Sequence, residues 1–170
     1  CSVDTVYLGV FDRAAIESVG LFDEQLIRNQ DYELNIRLRD AGGVIWFDPT
    51  LSLGYQPRST WRALARQYYE YGWWKAVVLR KHRRSLRLRQ LIPPVGIIGV
   101  VVGLVIGTRW RPALLFTISY GTALAVTVRT SRHPLRTAGA LVTTHTSWTL
   151  GMLTSFVRRP PRPRDSRADQ

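Results

Sequence analysis

Three rhythms of apolar and polar residues follow one another along this chain. Residues 6–11 (Val-Tyr-Leu-Gly-Val-Phe) form a short apolar run of the kind that predicts a strand. Residues 13–19 predict a short helix, with Asp12 placed to cap it. The Gly20-Leu21-Phe22-Asp23-Glu24 stretch gives an apolar pair and then a turn. A second helix opens near Asp31, with Leu34 and Leu38 spaced to bury one side and Gly42 suited to end it in the left-handed conformation. Val44-Ile45-Trp46-Phe47 predicts a buried strand, stopped by Asp48-Pro49. Up to about residue 58 the pattern is therefore mixed α/β. Ser59 or Thr60 can then cap a long helix over residues 61–81, with Trp61, Leu64, Ala65, Tyr68 and Trp73 spaced for one face.

Beyond residue 90 the rhythm gives way to unbroken apolar runs. Residues 91–108 come close to the roughly 20 residues needed to cross a hydrocarbon core. Arg109-Trp110-Arg111-Pro112 makes a tight basic loop before a second, slightly short run over 113–128. A second basic loop, 129–136, leads into 138–157, which is long enough to span but carries Thr143, Thr144, His145, Thr146 and Ser147 at its centre. That stretch either crosses or lies against the other helices. The expected organisation is thus 1–90 as an α/β part ending in an interfacial helix, 91–157 as two or three transmembrane helices, and 158–170 as a disordered basic tail. The chain shows no internal repeat.

Charge sharpens the division. Residues 1–70 hold seven Arg against ten acids, a net of −3, whereas residues 71–170 hold 17 Lys and Arg against two acids, a net of +15. A basic half that is also apolar points to anionic membrane lipid rather than nucleic acid, for which no recognition signature is present. Trp73-Trp74, followed by Lys75, Arg80, Lys81, Arg83 and Arg84, matches an interfacial segment with indoles at headgroup level. The 80–89 cluster is the densest in cations, which places the first part on the cytoplasmic side of an inner membrane as a multi-pass protein. A single cysteine permits no internal disulfide. The chain begins at Cys1 without an initiator Met, which reads as a fragment or a processed piece.

Asp31 and Glu33 are the candidate chemistry. Acids on a first helical turn are favoured by the dipole and are usually only caps. The wider pattern changes this reading. Gly-Leu-Phe-Asp-Glu at 20–24, Asp-x-Glu-Leu-x-x-Arg at 31–37, Ala-Gly-Gly at 41–43 and an aromatic strand ending in Asp-Pro resemble the second half of family 2 glycosyltransferases. Tyr55-Gln56-Pro57-Arg58 and the 66–75 stretch continue the resemblance, which covers about residues 3–92, and weakly 145–148. The nearest subgroup is the membrane-anchored, succinoglycan type of bacterial exopolysaccharide assembly.

That resemblance implies the C-terminal half of a GT-A-type α/β domain followed by a helical membrane region. It implies an inverting transfer of a sugar from a nucleotide-sugar to a polyprenyl-diphosphate-linked acceptor. By position Asp31 is the base; Gln30 stands where the family often has Glu. Glu33 either orients a sugar hydroxyl or pairs with Arg37. Gln67 matches the start of a Gln-x-x-Arg-Trp motif that Tyr71 then departs from, leaving Trp73 and Trp74 as acceptor-stacking candidates. Arg58, Arg66 and Lys75 are candidates for meeting diphosphate oxygens. His145 reads as helix packing or lipid-acceptor contact. Mg²⁺ or Mn²⁺ is implied, with ligands in an Asp-x-Asp motif that does not occur before Asp31, so these residues alone are expected to be inactive and to supply no metal ligand. The alternative is a non-catalytic membrane scaffold of a cell-envelope assembly complex.

Overall fold

A computed structural model describes residues 1–6, 9–52, 54, 56 and 59–158. Its order is α1 (Arg13–Ser18), α2 (Gln30–Asp40), α3 (Trp61–Lys81), α4 (Leu88–Gly107), α5 (Leu114–Arg129) and α6 (Pro134–Val157), with single 3-10 turns at Arg83–Ser85 and Arg111–Ala113.

Several helix ends follow local chemistry. Asp12 accepts from Ala15 N–H at 2.8 Å and Thr60 from Ala63 N–H at 3.2 Å, so each starts its helix by satisfying a donor with no intrahelical partner. At the end of α2, Gly42 has φ 88°, its N–H meets Arg39 C=O, and Gly43 N–H meets Leu38 C=O. This is the paired arrangement that closes a helix through a left-handed glycine.

The α/β expectation is overturned, and with it the GT-A-type half-domain. Among the described residues there is no strand and no sheet, only one antiparallel bridge between Ser2 and Trp46. Residues 44–47 are extended, yet only Ile45 is buried, while Val44, Trp46 and Phe47 are exposed. A strand is held by its lateral partners, and here the segment at 1–3 alone lies alongside, through Val3 N–H to Ile45 C=O and Phe47 N–H to Cys1 C=O. Val6 and residues 9–11, the described part of the other predicted strand, pair with nothing as a ladder.

What replaces a sheet is a helix buried on two sides. From α2, Tyr32 and Ile36 pack with Leu26 against Trp74, Val77 and Val78 of α3. Leu34 and Leu38 pack with Ile45 against Val3, Phe11, Ile16 and Val19. The far side of α3 is covered by α6, its main contact. The two run in the same direction and cross where Gly72 lies against the Trp148 carbonyl and Gly151 against the Tyr69 carbonyl. Small residues at a crossing let backbones approach closely.

α4 and α5 form an antiparallel hairpin, with Phe116 and Tyr120 of α5 lying over Gly99 and Gly96 of α4. Both helices are long and apolar enough to cross a membrane. Unlike core helices of a water-soluble protein, they leave Val95, Ile98, Val101, Val105, Leu115 and Ile118 exposed on their outer faces. The polar third stretch lies along α3, and His145 there meets Tyr120 of α5, Nδ1 to hydroxyl, at 2.6 Å.

Candidate active site

A cleft of about 590 Å³ opens at the N-terminus of α2. One wall is the loop and first turn carrying Arg28, Asn29, Gln30, Asp31 and Tyr32. The opposite wall is Tyr71 and Lys75 of α3, and Thr5, Val6 and Phe22 close one side. Trp148 of α6 and Gln90 of α4 complete it, so the cleft sits where the apolar helices meet the rest of the molecule. Asn29 enters α2 with φ 62°, a left-handed turn that asparagine tolerates better than most residues, and so sets Asp31 on the exposed first turn. Asp31 Oδ1 accepts from Tyr32 N–H at 2.8 Å.

The acids of the Asp-x-Glu-Leu-x-x-Arg run divide their labour. Glu33 is buried and takes Arg37 on both carboxylate oxygens, while its Oε1 also meets His82 Nε2 at 2.9 Å. The Arg37 guanidinium reaches on to the carbonyls of Val19 and Leu21. It thereby clamps a turn in which both Gly20 and Leu21 have positive φ, a strained state for leucine. Glu33 and Arg37 thus hold α2 to the turn that presents Phe22 and to the end of α3.

Lys75 is only 3% exposed. Its ammonium donates to Ser85 C=O at 2.9 Å and stands 4.0 Å from the centre of the Tyr32 ring. Burial, and then the neighbouring Arg87, pull its pKa from 10.5 to about 8, with Arg89 adding to the shift and Asp4 opposing it. The unfolded chain keeps this proton to about pH 10.5, so between pH 8 and 10.5 the unfolded state binds more protons than the folded one. The penalty of the buried charge is therefore fully present below pH 8 and is relieved as pH rises to 10.5, by roughly 2–3 kcal/mol. Denaturant unfolding of the full-length protein from pH 7 to 10 should show a gain in stability that Lys75→Met lacks.

The chain is similar in sequence to known proteins. Over 159 residues the chain is 34% identical to the succinoglycan biosynthesis protein ExoA of Rhizobium meliloti, covering 85% of the chain and 46% of that protein. Over that span the chain is similar to family 2 glycosyltransferases. Over 79 residues it is also 34% identical to a dolichyl N-acetyl-alpha-D-glucosaminyl phosphate 3-beta-D-2,3-diacetamido-2,3-dideoxy-beta-D-glucuronosyltransferase of Methanococcus voltae, covering 46% of the chain and 25% of that enzyme. It therefore spans about half the length of the first relative and a quarter of the second. No family model matches, and no solved structure matches.

In this glycosyltransferase-like chain the predicted site residues scatter. Asp31 lines the cleft; Glu33 does not. Gln67 donates to the Tyr71 hydroxyl at 2.8 Å and so supports a cleft residue from behind. Arg66 is exposed and pairs with Glu70, which also takes Arg28 from the cleft wall. Trp74 is in the core and Trp73 packs against it, tilted over Tyr69. Arg58 lies outside the described residues. The aromatic that does face the cleft is Trp148, with Tyr71 opposite. A signal for the α3 wall was present in the sequence: Gln67, Tyr71 and Lys75 recur at intervals of four on one helix face.

Proposed function

We propose that this chain is part of a membrane-bound, inverting glycosyltransferase of polysaccharide synthesis. It moves a sugar from a nucleotide-sugar to a polyprenyl-diphosphate-linked glycan at the cytoplasmic face of the inner membrane. The observation that carries this reading is Asp31 in the wall of a cleft completed by α4 and α6.

Asp31 takes the proton of the acceptor hydroxyl as that oxygen attacks the anomeric carbon. The bond from that carbon to the donor's phosphate oxygen breaks, and the nucleoside diphosphate leaves with the bonding pair. The exposed first turn leaves Asp31 free to approach a hydroxyl, which a base must do to within hydrogen-bond reach. Tyr71 and Trp148 offer the flat faces on which a sugar ring packs. Glu33, Arg37 and Gln67 position the walls, and Arg66 reaches the cleft only through Glu70 and Arg28.

A lipid-borne acceptor accounts for the cleft's place beside α4, which with α5 presents outer faces that suit lipid. Arg83, Arg84 and Arg87 precede α4 and Arg89 lies in its first turn, where they meet anionic headgroups and hold this end in the cytoplasm. A Mg²⁺ or Mn²⁺ ion belongs to the reading on the donor's diphosphate. Among the described residues no three His, Cys, Asp or Glu side chains come together to hold one, so no step above depends on it.

The test is transfer of label from a panel of nucleotide-sugars to membrane lipid by the full-length protein. Label in a lipid-extractable glycan is the expected result. Absence of transfer across a broad panel, from protein that is folded and inserted, would favour the non-catalytic scaffold.

A further inference from the structure

We propose that the Lys75 ammonium receives a phosphate or diphosphate group in the cleft beside Asp31, an inference that rests on the glycosyltransferase reading for why such a group enters. Three observations converge on it. The first is a charge without a counter-ion. Lys75 is 97% removed from solvent by its 3% exposure, yet no carboxylate lies within ion-pair distance of it among the described residues. The acid that acts on it, Asp4, is already engaged by Arg87 and Arg89. A buried charge left unpaired is costly, and a chain that retains one commonly uses it.

The second is that folding does not require this ammonium. Its one hydrogen-bond acceptor, Ser85 C=O, also takes the Tyr32 hydroxyl at 2.7 Å and stays satisfied without Lys75. An unbranched apolar side chain would fill the same space against Tyr32. The third is the shape and polarity of the cleft. At about 590 Å³ it falls within the range of small-molecule sites. The N-terminus of the 11-residue α2 opens into it, so the positive end of the helix dipole faces the same space as Lys75, although Asp31 already takes the Tyr32 N–H. Arg87 and Arg89, which pair with Asp4 outside this cleft, act on Lys75 as like charges and offer it no counter-ion. Lys75 and the start of α2 favour an anion in this cleft, and Asp31 is the group that deals with a hydroxyl instead.

Two molecules could bring this chemistry: the lipid carrier of the acceptor, or the departing nucleoside diphosphate. The full-length protein in detergent is titrated calorimetrically with inorganic pyrophosphate, uridine diphosphate and farnesyl diphosphate, beside Lys75→Met and Lys75→Gln. The native protein should bind pyrophosphate, and both variants should bind it about ten- to hundredfold more weakly. Their melting temperatures without ligand should equal or exceed the native value, which a structural lysine would not allow. Tighter binding of farnesyl diphosphate than of uridine diphosphate assigns the group to the lipid; the reverse order assigns it to the nucleotide. Should the Met variant fail to fold, the Gln variant, which keeps a donor for Ser85 C=O, carries the comparison. Equal affinities in native and variant proteins, or no binding by the native protein, would overturn the inference. Because binding is read without turnover, the two readings fail separately. Lys75-dependent pyrophosphate binding without sugar transfer sinks only the enzyme reading, and transfer with Lys75-independent binding sinks only this one.

Discussion

Replacing Asp31 by asparagine in the full-length protein is expected to lower sugar transfer by about 10²–10⁴-fold, the usual contribution of a positioned base. The loss should fall on kcat, with KM for donor and acceptor little changed, because the proton moves only as the transition state forms. The fold should survive. Asp31 is exposed, and the carbonyl of an asparagine can still accept from Tyr32 N–H as Oδ1 does now. Loss of the favourable charge at the helix start costs about 0.3–1 kcal/mol. Glu33 cannot take over the reaction, because Arg37 and His82 occupy its carboxylate and it does not line the cleft. Transfer by a folded Asp31→Asn protein at the native rate would remove Asp31 from the chemistry and leave the membrane and cleft assignments standing.

The parts of this molecule governed by neighbours in sequence were legible from it. Asp12, Thr60 and Gly42 each cap the helix end expected of them, because capping is decided within four residues. The apolar runs became α4 and α5 because hydrophobic length alone sets that property. What failed depended on partners distant in sequence. The 44–47 segment has the composition of a strand, but a strand exists only where another lies beside it, and here a single bridge forms.

Trp74 shows the same limit in a side chain. Beside Lys75 and Arg80 it reads as an interfacial indole, yet α2 lies on one side of α3 and α6 on the other, and Trp74 is enclosed at 5% exposure. α6 was obscure for the opposite reason. Its Thr149 and Ser155 are nearly fully buried, and small size rather than polarity is what the contact with α3 selects. Thr149 returns its hydroxyl to His145 C=O, and Ser155 receives Arg80 from α3, so neither leaves an unpaired group. Asp31 stood out in the sequence because resemblance marked it, and it lines the cleft; Lys75 stood on the same helix as the motif and needed the cleft to set it apart.

The contact between α3 and α6 should be the most sensitive packing site in the protein. A Cβ at residue 151 would lie 2.0 Å from the Tyr69 carbonyl oxygen and 3.0 Å from Trp73 N. A Cβ at residue 72 would lie 2.0 Å from the Trp148 carbonyl oxygen and 3.0 Å from Met152 N. These are backbone atoms of helices, so no side chain can swing aside and the axes must part. Gly151→Ala and Gly72→Ala are each expected to lower stability by about 2–4 kcal/mol, above the general run of overpacking because backbone must move. Both strains are relieved by the same separation, so the double variant should cost clearly less than the sum. Gly121→Ala is the control, since nothing lies within 4 Å of its added methyl and a helical alanine is favoured by roughly 0.5–1 kcal/mol. Trp148 sits one turn from Gly151 and lines the cleft, so parting the helices also withdraws it. Sugar transfer and pyrophosphate binding should then fall together with the melting temperature. Simple additivity of the two alanine variants, measured by denaturant unfolding in detergent, would show that they act at separate places and that the crossing is not the joint holding the cleft.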